Sequence, residues 1–511
     1  MTNWTSGYVA DIGYTYGYYT ELNPLRVNLA FLNSGLIPPS IGTACELGFG
    51  QGLSANLHAA ASVTQWYGTD FNPSQAGFAQ ELAAASGSGA KLFDEAFSDF
   101  ANRTDLPEFD YIGLHGIWSW ISDENRRVIV DFVRRKLKVG GVLYISYNTL
   151  PGWASFAPMR HLMTEHAEVL GAEGRGIVSR IDGAIEFAEK LLATNPLFSR
   201  ANPGVAERLT KMKEHSRHYL AHEYFNRDWH PMHFATMADL LEPAKVQWAC
   251  SAAYLDAIDV ANLSTEQQTF LAEIPDPMFR QSVRDFMVNQ QFRKDYWVKG
   301  PRRLSALEQA EMLRSQRVVL TVPRSDIPLK VTGSAGEVTL SESVYNPILD
   351  TLADHKVRSV AEIREAVKSK NVSFVQLSQA IIVLAGVGFI SAVQDEAVID
   401  KAKKTSKALN KLLIDKSRGS SEINYLASPV TGGGVGINRF AQLFILAIEE
   451  GKKKPQDWAQ FSWETLASQG QGLVKDGKTL QTAEENLAEL NAQAVTFSEK
   501  QLPILKALGL A

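Results

Sequence analysis

Cysteine is nearly missing from this 511-residue chain: Cys45 and Cys250 stand far apart, with no others. That excludes a disulfide framework and a cysteine-based zinc site. An excess of positive charge is missing too. Lys and Arg total 51 against 56 Asp and Glu, a net charge of −5. Such a balance gives no electrostatic reason to bind nucleic acid or an anionic membrane. Long apolar runs are absent as well; the longest, Ala380 to Val393, is too short to span a bilayer. The first residues have neither the basic segment nor the apolar core of a signal peptide. A cytoplasmic protein with no membrane insertion, no nucleic-acid partner and no metal is the expectation. What is present is ordinary for a globular protein: 45% hydrophobic and 21% charged residues. The length suits about three domains.

One short segment is far from ordinary. Glu46-Leu47-Gly48-Phe49-Gly50-Gln51-Gly52 follows a strand-like run and opens a helix-like stretch from Leu53. Glycines there let the chain turn sharply and let a ligand lie on bare backbone. The spacing is GxGxG, with Leu53 where a dinucleotide fingerprint needs its third glycine. Glu46, ahead of the first glycine, would repel a pyrophosphate. It suits a cationic ligand such as S-adenosylmethionine. A second strand ends in Asp70, placed to hold two ribose hydroxyls, and Phe71 follows it. Strand, EXGXGXG, helix and strand ending in Asp together signal a class I methyltransferase. A tight turn with no ligand is the plain alternative.

Strand and helix patterns alternate through this region, the signature of a parallel sheet. Strands are expected near 42–47, 66–70, 91–95, 109–115 and 141–147, with helices near 52–61, 73–84 and 123–138. The fold expected is therefore α/β, Rossmann-like, with appended units. Residues 1–40 form a lead-in or lid, and 41–153 with 223–300 form the cofactor-binding domain. Residues 154–222 are a helical insertion serving as lid or dimerisation element. Residues 301–398 read as a winged-helix-like middle domain, and 399–511 as a mainly helical C-terminal domain. Between Lys370 and Lys401 there is no Lys or Arg, so the would-be recognition helix cannot grip phosphates. The lysine-rich stretch 399–419 reads as a solvated helix face or linker. Gly432 to Gly436 lacks the Gly-Lys-Ser/Thr ending of a phosphate loop and reads as a flexible turn. All nucleotide motifs precede residue 120, so the cofactor site is expected to stand without residues 301–511.

In open α/β sheets the reacting centre lies beyond the carboxyl ends of the strands. Strand three ends at Glu95 and Ala96, placed to meet an adenine ring. Strand four ends at His115 and Gly116, followed by Trp118 and Trp120. Strand five leads through Tyr147 to Trp153. Rings at such tips wall a methyl-transfer pocket and attract a cation, or they pack under the inserted helices. The cluster Tyr8, Asp11, Tyr14, Tyr16, Tyr18, Tyr19 and Glu21 folds over the cofactor or lies as an amphipathic cover strand. An acceptor pocket from Tyr18, Trp118, Tyr147 and Trp153 is expected, with Asp11, Glu21, Glu223 or a tyrosine oxygen as proton acceptor. His218 and His222 share a helix face without the second histidine of a zincin helix.

With these residues assembled, the chain resembles class I methyltransferases that carry a methyltransferase regulatory domain. Among these it is similar to the rickettsial protein lysine methyltransferases acting on an outer-membrane autotransporter. The matching segments are Tyr18 to Pro24, the turn at 46–52, Phe109 to Trp120, Ser146 to Trp153, Leu220 to Tyr224 and Phe292 to Asp295. Leu426 to Val430 and Leu443-Phe444 match as well. Phe49 departs from the family, which often has Cys or Ala there. The resemblance implies a cytoplasmic homodimer methylating protein lysines. A small-molecule or glycan methyltransferase, or a non-catalytic cofactor-binding regulator, are the competing readings.

Overall fold

The computed structural model describes residues 13–171 and 176–511. Short apolar runs bounded by turn residues become the strands of one sheet. They are β1 (Thr43–Leu47), β2 (Gln65–Asp70), β3 (Lys91–Asp94), β4 (Phe109–Leu114) and β5 (Leu137–Asn148), all parallel. β6 (Gln247–Ser251) and β7 (Phe292–Val298) complete the order β3-β2-β1-β4-β5-β7-β6, with β7 antiparallel to both neighbours. Residues 44–47 of β1 and 141–148 of β5 are buried throughout, as in a sheet covered on both faces. This is the expected Rossmann-like methyltransferase sheet. β5 starts earlier than expected, at Leu137, because the Gly140 amide donates to the Lys299 carbonyl and the Lys299 amide to Gly141. What reads as a loop in sequence is thus paired with Lys299, just past the end of β7.

The helices start where the sequence can cap them. Asn72 accepts from the Ser74 amide ahead of helix Pro73–Ser86. Ser122 accepts from Asn125 ahead of helix Asp123–Lys136, which opens on two acids and closes on three basic residues. Both arrangements satisfy free amides and complement the helix dipole. Between β5 and β6 the chain forms helices including Ala157–Val169, Gly176–Ala193 and Arg217–Tyr224. These close around their own core of Trp153, Phe156, Ile181, Leu209 and Tyr224.

Beyond β7, helices Glu342–Thr351, Val360–Val367 and Phe374–Gly386 pack with a small antiparallel sheet. Its central strand, Arg317–Leu320, precedes all three helices, flanked by Arg358–Ser359 and Ile390–Ala392. That is winged-helix-like. After Ile390–Ala392 the chain enters helix Glu396–Lys416 without forming a wing hairpin. The lysine-rich stretch is this helix rather than a linker: Ala402, Leu409 and Leu413 are buried while the lysines face outward. The glycine run is not a loose turn either. Gly433–Gly436 pairs antiparallel with Tyr425–Ser428. The apolar cores cross the expected domain limits. One joins Leu53, Leu57 and Leu82 to Leu409, Leu426 and Phe444. No helix among the described residues is long and apolar enough to cross a membrane.

Candidate functional site

The order of the sheet reverses between β1 and β4, so the chain opens a crevice beyond their carboxyl ends. Gly48, Gly50 and Gly52 turn the chain there, with φ of +70°, +58° and +66°. A Cβ on Gly48 would lie 2.9 Å from Ile117 Cγ2. Gly50 and Gly48 leave backbone facing a cleft of about 330 Å³. Gly52 plays another part. It caps helix Leu53–Ala61 and sits against Ala79, whose Cβ would be 2.4 Å from an added one.

Of the expected cofactor residues, Glu46, Gly48, Gly50, Asp70 and Phe71 line this cleft. Glu95, Ala96, His115 and Gly116 line it as well; Gly52 does not. Asp70 ends β2 and accepts from the Gly50 amide at 2.8 Å and the Asn72 amide at 3.0 Å. Burial nonetheless pushes its carboxyl up to about 7. Burial, with the charge of Asp70 beside it, pushes Glu46 up to about 8. Glu46 Oε2 and Glu95 Oε2 are buried without a hydrogen-bond partner, and Glu95 Oε1 holds Arg103 at 2.6 Å. Unpartnered buried carboxylate oxygens call for a donor or a cation. Among the described residues the lining carries five carboxylates, on Glu46, Asp70, Glu95, Glu124 and Asp228, and neither lysine nor arginine. The cleft therefore favours a positively charged ligand.

The expected acceptor pocket is placed differently. Trp118 is fully buried in the core beneath helix Asp123–Lys136, its carbonyl accepting from Arg126. Tyr147 is fully buried and donates its hydroxyl to Asp295 Oδ2 at 3.0 Å. Trp153 belongs to the insertion core, bonded to Asn148, with the Arg208 guanidinium 3.7 Å from its ring centroid. Tyr18 turns toward the C-terminal segment, its hydroxyl 3.2 Å from His58 Nε2 and its ring against Tyr425. None of the four lines the cleft. Glu21 is taken by Lys294 at 2.6 Å, whose charge holds its carboxyl low although burial pulls the other way. Asp11 lies outside the described residues.

Other side chains form the outer wall: Tyr14, Tyr19, Ile117, Trp120 and Asp228. Tyr14 and Tyr19 hydroxyls stand 3.3 Å apart. The Tyr14 carbonyl accepts from Gln51 in the glycine turn, and the Gly13 carbonyl is bonded to His218 of the insertion. Residues 13–19 thus strap the turn to helix Arg217–Tyr224. Trp120 donates Nε1 to the Glu223 carbonyl at 3.1 Å. Glu223 does not line the cleft, but it acts electrostatically on Tyr19, and burial pushes its carboxyl up to about 7. Tyr14, Tyr19 and Trp120 lie in the aromatic segments the sequence marks. Asp228 follows the insertion with no pattern to single it out. Among the described residues no group of three or more His, Cys, Asp or Glu is placed to hold a metal.

Residues 216–299, from helix Arg217–Tyr224 through β7, match the family described as predicted methyltransferase regulatory domain. The uncharacterized protein sll1526 of Synechocystis is 42% identical over 513 residues, covering 99% of this chain and all of that one. The uncharacterized protein RP789 of Rickettsia prowazekii is 24% identical over 281 residues, 54% of this chain and 49% of that one. Among solved structures, PKMT2 from Rickettsia typhi in complex with AdoHcy covers 98% of this chain and 100% of its own, at TM-score 0.69 and 17% identity. The chain belongs to the same family as the Synechocystis protein, and it is a class I methyltransferase fold carrying the predicted methyltransferase regulatory domain.

Proposed function

We propose that the chain is an S-adenosylmethionine-dependent methyltransferase whose acceptor is the ε-amine of a protein lysine. The observation that carries this reading is the cleft itself. A glycine turn closing β1 and an acid ending β2 meet a lining that, among the described residues, has five carboxylates and neither lysine nor arginine. Bound there, S-adenosylmethionine supplies an electrophilic methyl group on a cationic sulfur. The rest falls to the protein. Asp70 offers its carboxylate to the ribose hydroxyls, Glu46 faces the amino-acid end, and Glu95 with Ala96 borders the adenine. Tyr14, Tyr19 and Trp120 wall the side from which an acceptor enters. Once the lysine ammonium has given up one proton, the neutral amine would form its N–C bond as the C–S bond broke, leaving a neutral thioether and a methylated ammonium.

A lysine of pKa ~10.4 costs about 4–5 kcal/mol to deprotonate at pH 7. Glu223, its carboxyl pushed up to about 7 by burial and its main-chain carbonyl bonded to Trp120 of the cleft wall, takes that proton through a relay rather than by direct contact. Alignment of amine and methyl supplies most of the remaining acceleration. A cytoplasmic homodimer completes the reading, supported by the family resemblance and open to light scattering. The deciding experiment incubates the purified protein with methyl-labelled cofactor and bacterial lysate. Label on protein lysines supports the proposal; label on sugar or metabolite moves the acceptor, and tight cofactor binding with no label anywhere overturns catalysis.

A further inference from the structure

A second cavity, of about 470 Å³, opens on the far edge of the sheet and, among the described residues, shares none with the cleft. Its walls come from residues 248–293, within the matched regulatory domain, closed by Asn33 and by Ile382 of helix Phe374–Gly386. Junctions of this kind are common ligand sites. Arg284 is nine-tenths buried there, and its hydrogen bond runs from Nη2 to the Asp256 carbonyl. Arg280 gives Nε and Nη2 to the Ile274 carbonyl, which leaves Nη1. Among the described residues the ion pairs at this cavity are those of Arg293 with Asp285 and Asp295. Arg280 and Arg284 make none, although the Arg284 charge reaches Asp285 from a distance.

Two carboxylates share the cavity with these guanidiniums. Asp256 accepts from the Ser251 hydroxyl at 2.7 Å, and Asp259 stands exposed at the rim. Among the described residues neither forms an ion pair with Arg280 or Arg284, so charges of both signs line the space without neutralising each other in pairs. Trp248, Leu271 and Ile382 supply apolar wall between them. A plain anion would meet the two acids, and a plain cation the two guanidiniums. A neutral apolar molecule would leave the Arg284 donors buried without a partner. A molecule with one charge of each sign satisfies both sides.

We propose that this cavity binds a small zwitterion of amino-acid type, with its carboxylate on Arg284 and Arg280. Its ammonium faces Asp256 and Asp259, and its side chain lies on Trp248, Leu271 and Ile382. Ala272 lines this cavity and not the cleft.

The test titrates the full-length protein, saturated with S-adenosylhomocysteine, with L-phenylalanine, L-leucine and L-glutamate in turn. The single-charge analogues 3-phenylpropionate and phenethylamine follow. At least one amino acid should bind saturably at millimolar concentration or better, and the analogues about tenfold more weakly or worse. Ala272→Trp, which pushes an indole into the space from an exposed rim position, should abolish binding. Asp259→Asn should weaken it severalfold, with circular dichroism and melting temperature unchanged in both variants. Three results overturn the proposal: no saturable binding by any of the three, binding undiminished by Ala272→Trp, or equal affinity for 3-phenylpropionate.

Discussion

The Tyr19 ring lies flat on the His115 imidazole, with centroids 3.7 Å apart and planes inclined by 22°. His115 Nδ1 is 2.7 Å from the Tyr144 hydroxyl, and burial pushes its pKa down to about 3, so the ring is neutral. A neutral aromatic stack on the cleft wall receives a cationic or freshly neutral amine without repulsion. Tyr19→Ala should therefore slow methyl transfer by about tenfold or more while cofactor affinity stays within severalfold. Single-turnover methylation beside a direct cofactor titration checks this. A full rate in the variant would reduce the stack to packing.

The cofactor itself should depend on the ends of β1 and β2. Asp70→Ala removes the carboxylate that also fixes the Gly50 and Asn72 amides. Gly50→Val forces a β-branched residue into φ +58°, with Tyr14 3.5 Å from the new Cβ. Calorimetry should show at least about a tenfold loss of affinity for each, or about 1.4 kcal/mol. Unchanged affinity in both would put the nucleotide elsewhere.

Acidity in the cleft gives a pH signature with a definite sign. Glu46 at about 8 and Asp70 at about 7 both lie above the unfolded carboxylate value of about 4. The free fold therefore binds more protons than the unfolded chain. That contribution to stability is whole below about pH 4 and is lost as pH rises through 7 to 8. A bound cation reverses the preference and expels protons. Cofactor affinity should rise between about pH 6 and 8.5 while the free protein's melting temperature falls. Glu46→Gln should flatten both trends; calorimetry in buffers of different ionisation enthalpy counts the protons released.

Removing the C-terminal residues should cost the cofactor site itself, contrary to what the motif positions imply. Helix Leu53–Ala61 begins at the glycine turn, and all 9 of its residues are buried. Its carboxyl end is held by Thr405 and Ser406, whose hydroxyls donate to the Ala60 carbonyl. A chain ending at Gly300 would expose Leu53, Leu57 and Leu82, at about 1.5–3 kcal/mol for each side chain. It should aggregate or fail to bind cofactor. A soluble truncated protein with normal affinity by calorimetry would contradict this.

The sheet was legible in sequence because apolar runs and turn residues alternate there, and the glycine turn because its spacing serves one backbone geometry. The acceptor wall was harder to read for a reason visible in β5. Tyr144 and Ser146 reach His115 and Gly116, while Tyr147 packs on the opposite face with Leu143 and Ile145. Residues two apart share a face of a strand. Choosing rings by nearness to the strand's end, rather than by parity, selects Tyr147 wrongly. Trp153 was lost to a different competitor, the insertion core, whose partners lie up to Trp229. The glycines among residues 432–436 carry no phosphate-loop ending, and their use is steric. A Cβ on Gly433 would meet the Tyr18 hydroxyl at 2.4 Å.

Asn23 donates its amide to the Thr431 carbonyl across 408 residues of chain, buried beside Tyr18. Such a contact fixes an order of events during synthesis. The strands and the glycine turn leave the ribosome early, yet the surface that walls their first helix is translated near the end. Contacts so distant in sequence form slowly, and the half-made chain must wait with apolar side chains uncovered. The apolar wall of that first helix is complete only with the hairpin Tyr425–Gly436 in place.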